Sequence, residues 1–332
     1  MRSPRLQLSS RPQLFAPCLE LAPPMIQRQR CLPDYVDFRP LGRCNLDCLF
    51  CYGPRHDLPT MGEDDAFRVV EILRAERVKG VVISGGEPTL LPYLARLAAA
   101  LGAPYAPGEP GPKIVLSTNG LAPIPTMEKI LPHLSWIALP LESADPGEHA
   151  AMRIGHARHR ERVIALLGQA RRSHPSVGIK LGTVVTRLNA RGADRVLDLI
   201  EDDPFLPDIW KVYEMSETNY GADNRHLLAL GPGEFEEVVQ RCSKAAADRG
   251  VELRVYRNST RSGNYFFVDP DGGAVVIDDG EERRLGSFFE LYERGEGWLR
   301  DCVEGDANAA NFTSTYPTWS PTGSPDAVAA AT

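Results

Sequence analysis

Two kinds of segment alternate along the chain. Short runs of β-branched and other apolar residues, typical of buried strands, are followed by longer segments in which apolar residues recur every three or four positions, as in amphipathic helices. Between Tyr35 and Tyr213 this alternation repeats six times, in units of about 30 residues. The pattern predicts parallel strands joined by right-handed crossovers, and therefore an α/β fold.

The predicted strands are short apolar runs that end beside glycine or polar residues. They are Val36–Arg39, Gly80–Ser84, Ile114–Ser117, Trp136–Leu141, Ile179–Val185 and Ile209–Tyr213. The predicted helices include Asp64–Arg77, Arg160–Arg172 and Ala193–Glu201. Six strands are too few to close an eight-stranded barrel. The periodicity leaves a partial barrel and a doubly wound sheet open as alternatives.

The two ends of the chain differ from this repeating part. Residues 1–32 are rich in Pro, Arg and Gln, which predicts an irregular arm, and the repeats fill residues 33–230. In residues 231–307 strand-like runs flank a turn at Asp269–Gly273, so we expect an extension with a β-hairpin that closes the open side of the barrel. Residues 308–332 are mostly Ala, Thr, Ser and Pro, and we expect a flexible tail. The strand-like runs of the extension are Val251–Tyr256, Asn264–Val268 and Ala274–Ile277.

Composition and charge narrow the class of protein. With 332 residues, 43% of them hydrophobic and 24% charged, the chain has the composition of a soluble globular protein. Its net charge of −7 argues against binding a nucleic acid polymer. No apolar stretch approaches the ~20 residues of a membrane span, and the N-terminus does not resemble a signal peptide. Four dispersed cysteines are interpreted as free thiols in a reducing cytoplasm: Cys18, Cys31, Cys242 and Cys302.

The other three cysteines, Cys44, Cys48 and Cys51, lie within eight residues of one another. Three thiolates at this spacing can hold three irons of a 4Fe–4S cluster and leave the fourth iron to bind something else, whereas electron-transfer clusters are held by four cysteines. Two other interpretations are a zinc site with His56 as the fourth ligand, and three unrelated thiols.

A second motif, Gly85-Gly86-Glu87-Pro88, directly follows a short β-branched run. It indicates a buried strand that enters a loop where a ligand can approach the backbone, with Glu87 offering a carboxylate to a cationic group. Taken alone, the motif fits a plain strand-to-helix turn equally well. Together with the cysteine motif it resembles the radical S-adenosylmethionine (SAM) superfamily, from about Tyr35 to Tyr213.

This resemblance implies a fold, two cofactors and a reaction. The fold is a partial (β/α)6 TIM-like barrel with its site at the carboxyl ends of the strands. The cofactors are a 4Fe–4S cluster on the three cysteines and S-adenosyl-L-methionine, whose amino and carboxylate groups chelate the open iron. An electron donor such as flavodoxin or ferredoxin supplies one electron, SAM is cleaved to a 5′-deoxyadenosyl radical, and the radical abstracts hydrogen from a substrate.

The same resemblance assigns cofactor-binding residues to strand ends and loops. Helix capping, turn formation and core packing are the alternative roles of these residue types. The candidates are Phe50 and Met215 beside the adenine, Gly85, Gly86 and Glu87 at the methionine amino group, and Ser117, Asn119, Glu142, Ser143 and Arg153 at its carboxylate or the ribose.

Substrate residues are suggested by two lysines in strands. Lys180 and Lys211 fall in parallel strands that should be buried, so each is a candidate cation for a substrate phosphate or carboxylate, or a side chain that reaches to the rim. The segments around them resemble viperin-type enzymes, which dehydrate nucleoside triphosphates. That resemblance adds Tyr213 and Tyr265 as substrate candidates.

Two positions depart from the viperin pattern. The family's lysine before the glycine motif falls at Gly80, with Lys79 one place away, and a family asparagine is replaced by Asp37. An acidic Asp37 would repel a phosphate but would suit a base amine or a sugar hydroxyl, so it is included among the substrate candidates.

We therefore expect a cytoplasmic radical SAM enzyme that acts on a small polar substrate, a nucleotide, nucleoside or sugar derivative, by dehydration, decarboxylation or epimerisation. A peptide-modifying radical enzyme is one alternative, although the sequence shows no second cysteine cluster of the kind that many such enzymes carry. A zinc or iron–sulfur protein without catalysis is the other alternative.

Overall fold

The computed structural model describes residues 30–200 and 205–303, together with residues 305 and 308. In this part of the chain, ten strands form a single sheet. Expectations for residues 1–29, and for the tail after residue 308, lie outside this part. In chain order the strands are β1 (Tyr35–Phe38), β2 (Gly80–Ile83), β3 (Lys113–Ser117), β4 (Trp136–Pro140), β5 (Gly178–Val185), β6 (Ile209–Glu214), β7 (Glu252–Tyr256), β8 (Phe266–Val268), β9 (Gly273–Asp278) and β10 (Glu281–Ser287).

The order of the strands decides between the two arrangements that the sequence left open. From edge to edge the order is β10-β9-β8-β1-β2-β3-β4-β5-β6-β7. β1 to β7 follow their sequence order and pair in parallel, whereas a doubly wound sheet reverses its order midway. Within the described residues the sheet ends at β7 and β10, so it is an open, partial barrel. The predicted fold class is therefore confirmed.

Ten α-helices connect or flank these strands in the described part of the chain. They are α1 (Glu63–Ala75), α2 (Leu94–Gly102), α3 (Ile124–Ile130), α4 (Pro146–Met152), α5 (His159–Ser173), α6 (Asn219–Asp223), α7 (Arg225–Leu228), α8 (Glu234–Asp248), α9 (Phe288–Glu293) and α10 (Trp298–Asp301). Shorter 3-10 helices cover Pro88–Leu90, Leu131–His133, Ala193–Leu199 and Asn258–Thr260.

The main hydrophobic core lies between the sheet and these helices, as the sequence pattern requires. β4 is buried at all five positions, consistent with a strand covered on both faces. On the helix side, α1 buries Val69 and Leu73, and α2 buries Leu97 and Leu101, four residues apart in each case. Apolar periodicity therefore fixes which side of each helix faces the sheet.

Two elements differ from the sequence prediction. The predicted α-helix at Ala193–Glu201 is a 3-10 helix at Ala193–Leu199. Its apolar residues Ala193 and Val196 are three apart, and this spacing suits either helix type. β10 was not predicted because its first four residues are all charged, in keeping with its position at the sheet edge.

The C-terminal region extends the sheet at both ends. β7 adds to β6 in parallel, and β8 adds to β1 in parallel. β9 and β10 then continue from β8 as antiparallel strands. Residues from the last third of the chain are thereby brought beside β1.

None of the helices that the model describes is long and apolar enough to cross a membrane.

Candidate active site

A cavity of about 240 Å³ opens where the parallel strands end. Parallel strands bring their carboxyl ends to one edge of a sheet, so residues that are distant in sequence meet there. The cavity is lined by the three clustered cysteines and by residues from β1 and the ends of β2, β3, β5 and β6. These strand residues include Asp37, Ser84, Ser117, Lys180 and Lys211.

The loop that carries the cysteines is bound to the glycine motif through its backbone. The Gly86 N–H donates to the Leu41 carbonyl at 2.8 Å, and the Glu87 N–H donates to the Arg43 carbonyl at 3.0 Å. A Cβ on Gly86 would lie 2.2 Å from both the Arg43 and the Gly42 carbonyl oxygens. Gly85 has a φ of +111°, which favours glycine. Both glycines are thus required for the contact between the two loops.

The Glu87 carboxylate accepts hydrogen bonds from other groups of the protein. It is fully buried and accepts them from the Thr89 hydroxyl at 2.6 Å, the Thr118 hydroxyl at 2.7 Å and the Asn119 N–H at 2.6 Å. Burial raises the pKa of Glu87, while these donors oppose the shift. Glu87 therefore joins the end of β2 to the end of β3. Its contact with the SAM amino group stays a prediction, and Ser84, Gly85 and Gly86 are the motif residues that line the cavity.

Asn119 continues this connection to the cysteine loop. Its Nδ2 donates to Oδ1 of Asn45 at 2.7 Å and lies 3.8 Å from Sγ of Cys44. Its own Oδ1 accepts from the Leu121 N–H at 2.9 Å, which fixes the side chain. The predicted cofactor residue Asn119 is thus held beside the first cysteine.

A buried ion pair places Arg153 beside the second cysteine. Glu142, at the end of β4, accepts from Arg153 Nε at 2.9 Å and Nη2 at 2.5 Å, and from the Val184 N–H at 2.7 Å. Arg153 Nη1 lies 3.6 Å from Sγ of Cys48, and its guanidinium carbon lies 4.9 Å from the centre of the Phe50 ring. Glu142 lies behind the cavity and orients Arg153, which lines it.

Two buried histidines join the same strand ends. The Glu142 N–H donates to His149 Nδ1 at 3.3 Å, His149 Nε2 lies 2.8 Å from His159 Nδ1, and His159 Nε2 lies 2.8 Å from the Asn119 carbonyl. The carbonyl can only accept, so both neutral rings carry the proton on Nε2. Burial lowers the pKa of His149 to about 3 and that of His159 to about 2, with Arg153 adding to both shifts.

The donor set at the cysteines fits an iron–sulfur cluster. All three cysteines line the cavity, and three neighbouring thiolates can hold three irons of a 4Fe–4S cluster. A zinc ion needs its ligands within about 2.3 Å of one point, and among the described residues no three His, Cys, Asp or Glu side chains are placed to hold one metal ion. His56 also lines the cavity, and its Nδ1 lies 3.9 Å from the Asp47 carboxylate.

The remaining predicted cofactor residues have different surroundings. Phe50 lines the cavity and belongs to a small apolar cluster that also contains Met215, so Met215 has a packing role. Ser117 lines the cavity. The Ser143 hydroxyl donates to Glu148 at 2.7 Å and accepts from the Asp145 N–H at 3.1 Å, which is the turn-forming role that the sequence left open.

The predicted substrate residues lie together in the cavity. Lys180 and Lys211 are 7% and 3% exposed, and Lys180 Nζ donates to the Tyr213 hydroxyl at 3.0 Å. Lys211 Nζ lies 3.3 Å from the centre of the Tyr256 ring. Burial, followed by the nearby charge of Lys180, lowers the pKa of Lys211. Burial raises the pKa of Asp37 to about 6, and the charges of Arg39, Lys180 and Lys211 oppose that shift.

Tyr265, another predicted substrate residue, also lines the cavity and stacks on Phe267 with ring centres 5.6 Å apart. Lys79, by contrast, forms an ion pair with Asp34 at 2.7 Å, and its side chain is 62% exposed.

Several residues that line the cavity were not predicted. They include Arg39, Tyr52, Thr118, Tyr256 and Arg261. Arg39 could have been found from the alternation of side chains along β1, because it lies two residues after Asp37.

Comparison with known proteins agrees with this geometry. A model of the radical SAM superfamily matches residues 38–200. The chain is 25% identical over 249 residues to an S-adenosylmethionine-dependent nucleotide dehydratase of Flammeovirga pacifica, covering 71% of this chain and 80% of that protein. It is 24% identical over 261 residues to a protein of the same name from Thermoplasmatales archaeon (strain ISO4-H5), covering 76% and 86%.

A solved structure shares the fold. SuiB of Streptococcus suis, bound to the precursor peptide SuiA, superposes with a TM-score of 0.61 and 16% identity, covering 81% of this chain and 67% of that one. Residues 38–200 are a radical SAM domain, and the protein is a radical SAM enzyme. The family implies a 4Fe–4S cluster and SAM as cofactors.

Replacing Cys44, Cys48 or Cys51 by Ala should abolish cluster assembly. Each thiol lines the cavity, and loss of one ligand leaves an iron without its protein contact. Iron and sulfide content and the visible absorption of anaerobically reconstituted protein measure the effect. Cys302→Ala is the control and should keep the full iron content. A variant of Cys51 with normal iron would contradict the assignment.

Replacing Gly86 by Ala should disturb the cysteine loop itself. A methyl group there would meet two backbone carbonyls at 2.2 Å, and backbone cannot move aside as a flexible side chain can. We expect reduced iron content together with weaker SAM binding. Gly62→Ala, where nothing lies within 4 Å of the added Cβ, is the control. Normal iron content with weakened SAM binding would show that the glycine serves the cofactor alone.

The histidine pair should make folding sensitive to acid. Both histidines are neutral in the fold and have a pKa of about 6.5 when unfolded, so stability is present above that pH and is lost as the pH falls toward their folded pKa values of about 3 and 2. Each contributes a slope of up to about 1.4 kcal/mol per pH unit. Buried carboxylates with raised pKa act in the opposite direction.

Denaturant titration of wild type and His159→Gln at pH 7 and 5.5 separates the two effects. The loss of unfolding free energy between these pH values should be smaller in the variant. His133→Gln, at an exposed position, controls for the substitution itself. Equal losses in wild type and His159→Gln would contradict this role of the pair.

Proposed function

We propose that the protein is a radical SAM enzyme that acts on a nucleotide, nucleoside or sugar derivative with an anionic group. The observation that carries the proposal is the placement of two buried lysines and the half-buried carboxylate of Asp37 in the same cavity as the three cysteines. The relatives of about 25% identity named as nucleotide dehydratases support the same class of substrate.

The lysines offer positive charge to an anion inside the cavity. Both are buried and both line it, and the charge of Lys180 lowers the pKa of Lys211 after the larger effect of burial, as expected for two amines of like charge. A phosphate or carboxylate of a ligand at these amines would form charge-assisted hydrogen bonds and offset their like charges.

Asp37 offers a different kind of contact in the same cavity. A carboxylate with a pKa raised by burial accepts hydrogen bonds from hydroxyl or amino groups, and it disfavours a phosphate in contact with it. The substrate in this proposal therefore has an anionic group for the lysines and an uncharged polar group for Asp37.

The departures from the viperin pattern favour fewer phosphates than a triphosphate. Gly80 offers no cation, and Lys79 is engaged with Asp34 outside the cavity. Lys180 and Lys211 are then the lysines of the described residues that line the cavity, and Asp37 offsets part of their charge. With no cation at Gly80 and Lys79 engaged elsewhere, a monophosphate or a single carboxylate is favoured over a triphosphate, although Arg261 also lines the cavity.

The cofactors supply the radical chemistry when they are bound. Cys44, Cys48 and Cys51 would hold the cluster, and the backbone at Gly85 and Gly86 with Arg153 and Asn119 would hold SAM. The protein's own contribution is to orient Arg153 through Glu142, to hold the cysteine loop through Asn119, and to place the substrate by Lys180, Lys211, Asp37, Tyr213 and Tyr265.

Anaerobic assays test the function directly. The reconstituted, reduced enzyme is incubated with SAM and a panel of nucleoside mono- and triphosphates, nucleosides and sugar phosphates, and 5′-deoxyadenosine is measured. The proposal predicts that a monophosphate raises its formation well above the substrate-free rate. A protein that contains one zinc and produces none, or stimulation by peptides alone, would refute it.

Replacing Lys180 or Lys211 by Met should weaken binding of the anionic substrate about tenfold or more, because each charge-assisted contact contributes about 1.5–3 kcal/mol. Calorimetry with the best monophosphate of the panel measures the dissociation constant. Iron content and SAM affinity are measured in parallel, so that loss of cofactor is separated from loss of substrate.

Lys113→Met is the matched control for these variants. Lys113 begins β3, at the end of the strand opposite the cavity, and should leave the dissociation constant unchanged. Equal affinity in wild type, Lys180→Met and Lys211→Met would contradict the lysine assignment.

A further inference from the structure

Arg39, the residue after β1, has one half of its guanidinium engaged and the other half available. It is 1% exposed and lines the cavity. Nη1 donates to Glu282 at 2.8 Å and lies 3.3 Å from the Asp269 carboxylate. Nη2 is buried and has no hydrogen-bond partner in the described part of the protein. A buried donor without an acceptor is unfavourable and uncommon, so this one calls for a partner.

The surroundings of Arg39 hold it in one orientation. Its guanidinium carbon lies 3.5 Å from the centre of the Phe267 ring, and its backbone N–H donates to the Val268 carbonyl at 2.9 Å. The backbone of Arg39 also packs against the glycine motif, since a Cβ on Gly85 would lie 3.5 Å from the Arg39 Cα. The free edge of the guanidinium is therefore a fixed donor and does not swing to solvent.

Arg39 lies between the glycine motif and Asp37. Side chains two positions apart on an extended backbone point to the same face, so Arg39 follows Asp37 along one wall of the cavity. The charge of Arg39 opposes the effect of burial on the pKa of Asp37, as do the charges of Lys180 and Lys211. Of the residues predicted to contact SAM, Asn119 and Arg153 belong to the end of β3 and to the segment after α4, whereas Gly85 contacts the Arg39 backbone.

The charge of Arg39 is already balanced inside the protein. Asp269 and Glu282 both lie within ion-pair distance of Nη1. An anion at Nη2 would meet the field of these two carboxylates, whereas an uncharged oxygen would not. Nη2 therefore suits a hydroxyl or carbonyl oxygen.

We propose that Arg39 is a substrate-specificity residue whose Nη2 donates a hydrogen bond to an uncharged hydroxyl or carbonyl oxygen of the substrate. This inference rests on the proposed function and refines it. The lysines select the anionic group, and Arg39 selects an uncharged oxygen. An analogue that lacks that oxygen would leave Nη2 unpaired and would be rejected.

Binding measurements on the anaerobically reconstituted, unreduced protein test this role. The probes are the four ribonucleoside monophosphates and their 2′-deoxy and 3′-deoxy counterparts, with SAM titrated separately. Arg39→Lys keeps the positive charge for Glu282 and Asp269 but lacks the second donor edge. We expect it to raise the dissociation constant of the tightest ribonucleotide about tenfold or more, and to discriminate less between that nucleotide and its deoxy forms.

Arg171→Lys is the matched control. Arg171 is also mostly buried and ion-paired, with Asp208 at 2.9 Å, but it does not line the cavity. Its nucleotide affinity should equal that of wild type. Unchanged nucleotide affinity in Arg39→Lys would overturn the inference, and so would a loss confined to SAM, which would assign Nη2 to the cofactor.

Two further outcomes are separated by design. If wild type binds none of the nucleotides, the proposed function and this inference both fail, whereas binding by wild type with no effect of Arg39→Lys refutes Arg39 alone. If thermal melting shows that Arg39→Lys does not fold, Glu282→Gln decides, because it leaves Arg39 in place but weakens its fixed edge. Glu282→Gln should raise the nucleotide dissociation constant about threefold, and an unchanged value would refute the role of Arg39.

Discussion

The buried carboxylate of Glu87 connects the end of β2 to the end of β3 beneath the cysteine loop, and the cofactor side of the site is built around that connection. Thr118 and the Asn119 backbone donate to it, and the Asn119 side chain reaches Asn45 and Cys44. A carboxylate with several donors is rigid, because each oxygen is held from more than one direction. These hydrogen bonds thereby fix the position of the cysteine loop relative to the sheet without help from a cofactor.

The cavity has two halves with different electrostatic character. Near the cysteines, the positive charge of Arg153 is balanced by Glu142 and lies beside sulfur atoms. Deeper along the strands, Lys180, Lys211 and Arg261 line the cavity together with the carboxylates of Asp37 and Glu214. A chain that is acidic overall therefore encloses a local excess of positive charge, which supports selection of an anionic substrate by the interior and not by the surface.

The sequence predicted the parts of the fold that depend on periodicity and glycine chemistry. The β-branched run before Gly85 marks β2, and the strand that carries Lys180 was located to within one residue. What the sequence could not predict depends on contacts between distant segments. β10 begins with four charged residues and carries no strand pattern, yet it supplies Glu282 to Arg39, and only the strand order brings these two residues together. Likewise, the sequence could not predict the hydrogen bonds of Glu87 and Ser143, because these depend on where the loops lie in the fold.

The pairing of β8 with β1 has a consequence for how such enzymes diversify. The cofactor half of the site is encoded by one continuous stretch, from the cysteines to Arg153, whereas Asp269, Glu282 and Tyr265 come from the C-terminal strands. An exchange of those last strands between related chains would alter what lies beside β1 and leave the radical-generating half in its original sequence. The radical chemistry and some of the substrate contacts are thus separable along the chain, because such an exchange would change the residues beside β1 while Asp37, Lys180 and Lys211 stayed in place.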